Sequence, residues 1–245
     1  MKTLGVIGGM GPMATVYFLE LVTKMCDVTC DQEHIPIVMQ SIPYAPDRTA
    51  YILDHTKDNP FPVLVQAGKN LKAQGADYIA IPCVTAHYFH QKLEEEIKLP
   101  VIALPSELAQ EFAKRKVHTV GLLATSGTCQ SGLVQQVLAS YGIETISLED
   151  SEQECLMTII YEQIKAGKEP DIDTFLSLGQ TLLSRGANGL LLGCTELSLL
   201  KRDFKGCLSS RYVDVLEVLA KAAIKRSGLK LKSEYEEKGD KEYAV

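Results

Sequence analysis

The chain contains no tryptophan, and Phe and Tyr bring its aromatic content to only 7 %. It has no long basic cluster, and 25 Lys and Arg against 31 Asp and Glu leave a formal charge of −6. A net acidic chain of this kind is a poor fit to general nucleic-acid binding. No apolar stretch approaches the roughly 18 residues of a membrane helix. The start, Met1-Lys2-Thr3 and then Leu4-Gly5-Val6-Ile7, lacks a signal peptide's long apolar region and small-residue cleavage site. The seven cysteines, an odd number at irregular spacings, argue against a disulfide framework. These absences set the expectation of a reduced cytoplasmic protein with no nucleic-acid or membrane partner. What is present is ordinary globular material. Across 245 residues, 46 % are apolar and 23 % charged, enough for one large domain or two of about 100 residues.

Short apolar runs alternate with helical patterns almost throughout. Leu4–Ile7, Ile35–Met39, Tyr78–Ile81, Val101–Leu104, Val120–Ala124, Ile143–Ile146 and Leu190–Leu192 have strand length. Between them, Leu64, Ala67 and Leu71 recur at i, i+3, i+7, as do Phe175, Leu178 and Leu182, each marking a helical face. This alternation predicts an α/β fold with parallel sheets flanked by helices on both sides.

An internal repeat divides the chain. Gly75-Ala76-Asp77-Tyr78-Ile79-Ala80-Ile81-Pro82-Cys83 and Gly186-Ala187-Asn188-Gly189-Leu190-Leu191-Leu192-Gly193-Cys194 each run from a helix end through a strand to a Cys. Eight positions separate Gly from Cys in both copies. Upstream, Leu4–Gly9 aligns with Val120–Thr125. The expectation is two pseudo-symmetric, Rossmann-like halves. Residues 1–100 with about 208–228 form the half carrying Cys83, and 101–207 the half carrying Cys194. A helix from Val213 to Arg226 returns onto the first half, and a charged tail at 229–245 frays.

In open parallel sheets, ligands bind at the carboxyl ends of the strands, where both Cys83 and Cys194 are expected. A pseudo-two-fold would set the thiols face to face across one cleft. One thiolate could then remove a proton from a stereogenic carbon while the opposite thiol donates one. A free Cys taken singly is most simply a buried small residue. Two in matched positions, each before an expected helix whose N-terminus lowers thiol pKa, point to paired chemistry.

The residues around the thiols carry a resemblance. Gly8-Gly9-Met10-Gly11-Pro12, Pro82-Cys83-Val84-Thr85-Ala86-His87 and Gly193-Cys194-Thr195-Glu196-Leu197 resemble the three motifs of the aspartate/glutamate racemase family. The Pro46-Asp47-Arg48-Thr49 loop is similar too, and the likeness extends to about Arg226. It implies a cofactor-independent amino-acid racemase, acting on aspartate or glutamate through Cys83 and Cys194, and a homodimer. The family usually has Asn after the first catalytic Cys. Here Val84 stands there, offering only its backbone N–H and a methyl surface, so substrate range or rate is expected to change. A related isomerase or decarboxylase of another small carboxylic acid, or a non-catalytic amino-acid binder, remains an alternative.

Other candidates surround the thiols. Amides near Gly9 and Met10, and near Ser126 and Gly127, could hold a carboxylate or simply permit tight turns. Thr85, Thr125 and Thr195 could bind the substrate's α-carboxylate or ammonium, or cap helices. By resemblance, Arg48 matches an Arg used for an acidic side chain, and Lys165, late in an expected Asp150-to-Lys165 helix, a second cationic contact. Glu196 could orient the Cys194 thiol or take part in proton transfer, or sit at a helix start for its dipole. His87 reads as a capping or core histidine. Cys26, Cys30 and His34 lack a fourth ligand, so no metal site is expected. Cys129, Cys155 and Cys207 read as structural. No P-loop is present, and Gly8–Gly11 lacks the dinucleotide-binding spacing.

Overall fold

The computed structural model describes residues 1–204 and 206–236. Two parallel sheets organise it. The first holds β1 (Leu4–Gly8), β2 (Ile37–Ser41) and β3 (Tyr78–Ala80) in the order β2-β1-β3. The second holds β4 (Thr119–Ala124), β5 (Glu144–Ser147), β6 (Gly189–Gly193) and β7 (Tyr212–Asp214) in the order β5-β4-β6-β7. In each half the first strand is central, the second lies on one side and the third on the other. The expected repeat is therefore visible as topology.

Burial follows position in the sheet. β1 and β6 are buried at every residue, as central strands covered on both faces must be. The edge strand β2 alternates between exposed and half-buried residues, and β5 is likewise largely solvated. Helix α1 (Pro12–Met25) begins with Pro at its first turn and buries Ala14, Phe18, Leu21 and Met25 as one stripe. Helix α9 (Ile172–Ser184) is capped by Asp171, which accepts from the Thr174 amide, and buries Phe175, Leu178 and Leu182.

Three sequence expectations change. Val101–Leu104 is not a strand. Val101 makes a single parallel bridge to Ile79, and the chain then turns into α5 (Leu104–Lys114), with Pro105 in its first turn. The helix expected from Val213 begins two residues later, as α11 (Val215–Ser227), because Tyr212–Asp214 pairs with β6. Segment 208–228 thus contributes a strand to the second sheet before α11 packs against α1 and α5. The Tyr78 hydroxyl donates to the Ala223 carbonyl at 2.7 Å, fastening β3 to that helix. Finally, the stretch after Gly228 is anchored. Leu231 is buried and bridges Cys26, and the Lys232 amide donates to the Met25 carbonyl at 2.9 Å. The rest of the expected charged tail, 237–245, lies outside the described residues.

Candidate active site

Both sheets place their first and third strands side by side, so the connections leave β1 and β3, or β4 and β6, in opposite directions. Such switch points open crevices at the carboxyl ends of strands. Met10 follows β1 and Cys83 follows β3. Thr125 follows β4 and Cys194 follows β6. All four line one narrow cleft. The same cleft is lined by Arg48, Val84, Thr85, Lys165, Thr195 and Glu196, so the residues expected from sequence to form a site come together.

The two halves meet directly at this cleft. Helix α2 (Arg48–Leu53) from the first half packs against α6 (Ser126–Ser131) from the second. A Cβ on Gly127 would stand 2.8 Å from the Thr49 Cα, closer than side-chain carbons approach backbone. Thr49 Oγ1 donates to Thr125 Oγ1 at 3.3 Å, and Thr125 caps α6 by accepting from the Thr128 amide. Thr125 therefore caps α6 while lining the cleft.

The thiols have unlike surroundings. Cys194 is the N-cap residue of α10 (Thr195–Asp203), and its Sγ donates to Glu196 Oε2 at 2.9 Å. Thr195 Oγ1 donates to the same oxygen at 3.2 Å. Burial first, and then the Glu196 carboxylate, push the Cys194 thiol well above its ordinary pKa, against the pull of Lys165. The expected lowering by the helix N-terminus is therefore overridden at this thiol. Cys83 enters a 3₁₀ turn, Thr85–Phe89, and α4 (His90–Ile97) follows it. Its Sγ lies 3.5 Å from Thr85 Oγ1 and interacts with the Arg48 guanidinium.

The cations are held by named partners. Arg48 is buried at the N-terminus of α2, where Nη1 donates to the Pro46 carbonyl at 3.0 Å and the Ala45 carbonyl at 3.3 Å. Its Nε is buried without a hydrogen-bond partner. Burial works against its charge, but Cys83 and Asp47 outweigh that and raise its pKa. Lys165 lies 4.0 Å from Glu196 Oε1 and 4.3 Å above the Tyr161 ring. Burial disfavours its charge, while Glu196 and Cys194 raise its pKa overall. The helix carrying it is α8 (Asp150–Thr158) continued by a π-helical turn, Ile159–Ile164, in which the Lys165 amide reaches back to Ile160. π turns of this kind are frequent at functional sites.

Some expectations fall away here. The Gly9 amide is taken by Thr15 Oγ1 at 2.9 Å, and the Ser126 amide faces Met157 Sδ at 3.3 Å. Neither is free for a carboxylate. Gly9 answers a turn instead, with φ at +94° and the Ile42 amide where a Cβ would sit. His87 is a core histidine, bonded to the Ile81 carbonyl and held neutral as burial and His90 lower its pKa to about 3. Cys155 and Cys207 are exposed, which does not fit a structural role inside the core. Among the described residues no group of three His, Cys, Asp or Glu is placed to hold a metal, and no helix is long and apolar enough to cross a membrane.

Thr128 and Tyr161 line the cleft without having been singled out from sequence, while Asp47 and Thr49 had been noted only within the Pro46–Thr49 loop. Tyr161 had a signal, since it precedes Lys165 by four residues and shares its helical face. An adjoining, more open vestibule shares Met10, Asp47, Arg48, Lys165 and Glu196 with the cleft and is otherwise lined by apolar residues such as Met13, Pro43 and Ile164.

Comparison with known proteins adds a decisive match: the model of the Asp/Glu/Hydantoin racemase family covers residues 7–223. The chain belongs to that family. It is 28 % identical over 205 residues to the broad specificity amino-acid racemase RacX of Bacillus subtilis, covering 80 % of this chain and 86 % of the relative. Among solved structures it is similar to the aspartate racemase of Picrophilus torridus, with a TM-score of 0.78, 30 % identity and coverage of 96 % and 98 % of the two chains. The glutamate racemase of Francisella tularensis shares the fold, at a TM-score of 0.60 and 20 % identity over 92 % of this chain and 80 % of that one.

Proposed function

We propose that the protein is an amino-acid racemase that moves the Cα proton of aspartate or glutamate between Cys83 and Cys194. The observation that carries this reading is the pair of buried thiols at matched strand ends of two like-ordered sheets, both lining one cleft. Racemisation needs a base on one face of the carbon and an acid on the other, and a duplicated fold supplies both. A thiolate takes the Cα proton and becomes a thiol. The carbanion then takes a proton from the opposite thiol, which is left as thiolate. Nothing is oxidised, and the enzyme's proton has changed sides.

A Cα proton is very weakly acidic, so the cleft must stabilise the developing charge as well as supply the base. Thr85, Thr125 and Thr195 offer hydroxyls, and Met10 and Val84 backbone donors, for the α-carboxylate and ammonium. Exclusion of water strengthens each such contact. Arg48 and Lys165 provide positive charge for the acidic side chain. Because acid and base are both thiols, the reading includes no organic cofactor. It also carries a homodimer, checked by sedimentation, and a reducing cytoplasmic setting that keeps both thiols free.

The test is incubation with single enantiomers of Asp, Glu and a panel of neutral amino acids in D₂O, with and without added pyridoxal phosphate. Inversion with Cα deuteration of an acidic substrate, indifferent to the cofactor, is expected. No exchange with any amino acid would overturn the reading in favour of another carboxylic-acid substrate or a binder.

A further inference from the structure

Asp47 and Arg48 are adjacent in sequence and opposite in charge, yet Asp47 spends neither carboxylate oxygen on Arg48. Its Oδ1 accepts from the Ala50 amide at 2.8 Å as the cap of α2. Its Oδ2 accepts from the Tyr161 hydroxyl at 3.1 Å. Tyr161 comes from the other half of the molecule, and Thr49 approaches the same hydroxyl. Meanwhile Arg48 keeps a buried Nε without a partner and its guanidinium against Cys83. A carboxylate beside a buried guanidinium with an unused donor would ordinarily pair with it.

We propose that Tyr161 is a positioning residue whose hydroxyl occupies Asp47 and so keeps Arg48 turned to Cys83 and the substrate. The inference rests on the racemase reading for its purpose, but not for its geometry. Burial raises the phenol's pKa to about 12, so Tyr161 stays a neutral donor and takes no part in proton transfer itself. Without the hydroxyl, Asp47 Oδ2 takes the Arg48 Nε, and the positive charge leaves the thiol and the substrate's acidic group. The ring, still stacked under Lys165, is unaffected.

The test uses Tyr161→Phe, Asp47→Asn and the double variant in the full chain, with anionic iodoacetate as probe and peptide mass spectrometry to follow each thiol at pH 7. A guanidinium beside a thiol draws an anionic alkylating reagent to it. Tyr161→Phe should therefore slow alkylation of Cys83 by about tenfold. Asp47→Asn keeps an oxygen for the cap but cannot capture Arg48. Added to Tyr161→Phe, it should return Cys83 to within about twofold of the native rate. Racemisation should show the same pattern, with KM for an acidic substrate raised in Tyr161→Phe and restored in the double variant. An unchanged Cys83 rate in Tyr161→Phe would overturn the proposal, as would a slow rate that persists in the double variant, which would mark a packing effect. The thiol rates need no substrate. A protein without racemase activity would remove the functional reading while leaving them to decide this one.

Discussion

Glu196 accepts the Cys194 thiol proton at 2.9 Å with Oε2 and turns Oε1 towards Lys165 at 4.0 Å. One carboxylate thus holds a thiol in its protonated form while keeping an ammonium within the cleft. Cys83, on the opposite half, faces Arg48 instead. The two thiols thus have unlike neighbours, Cys194 a carboxylate and Cys83 a guanidinium.

Replacing Glu196 by Gln removes the charge that holds the Cys194 proton. Because burial is the larger cause of that thiol's raised pKa, the release is partial. Alkylation of Cys194 at pH 8.5 should become several-fold faster while racemisation falls by about 100-fold, the usual worth of a positioned proton-transfer group. An unaltered Cys194 rate would show that the carboxylate does not control the thiol.

Each thiol should fail in its own way. Cys83→Ala and Cys194→Ala should both lose racemisation, yet each retains one base and should still exchange Cα hydrogen for deuterium with a single enantiomer. The two variants should choose opposite enantiomers. Full racemisation in either one would refute the two-thiol scheme.

The parts of the site that were legible in the sequence are those repeated within it. The Gly-to-Cys spacing around Cys83 and Cys194 marked equivalent strand ends before any coordinate did. Strand β7 was not legible, because three residues merging into α11 leave no periodicity to read. Val101–Leu104 misled for the converse reason: apolar and strand-length, it is diverted into a helix after one bridge. Leu231 looked like part of a charged tail because one apolar residue cannot announce the Met25–Asp27 backbone it docks on. The Tyr161–Asp47 contact spans the two halves, and nothing local to either residue foretells it.

At Gly127 the two halves pack closely, with the Thr49 backbone against the glycine. Gly127→Ala drives a methyl against the Thr49 main chain, which cannot swing aside as a flexible side chain would. A loss of about 1–3 kcal/mol is expected, typical of overpacking, and racemisation should fall further than stability because α2 carries Arg48. Urea unfolding alongside kinetics checks this, and a variant with native activity would show that α2 and α6 separate without consequence.

Asp214 couples stability to pH away from the cleft. It is buried at the start of α11, where Oδ1 accepts from Ser198 Oγ at 2.6 Å and the Leu216 amide at 2.8 Å, while Oδ2 has no partner. Burial and the nearby Glu217 raise its pKa to about 6, against Lys201 and those two hydrogen bonds. The folded protein therefore holds this proton more tightly than the unfolded chain. Stability from this group is complete below the unfolded value near 3.8 and declines as pH rises towards 6, above which the loss is constant. The full cost at neutral pH is about 3 kcal/mol, of which about 2 kcal/mol is recovered by pH 4.5. Asp214→Asn cannot titrate and keeps an oxygen for Ser198 and Leu216. Measured by urea unfolding, the native protein should gain about 2 kcal/mol relative to this variant between pH 7 and pH 4.5. Parallel pH profiles for the two proteins would mean that Asp214 ionises as an ordinary carboxyl group, with its second oxygen satisfied after all.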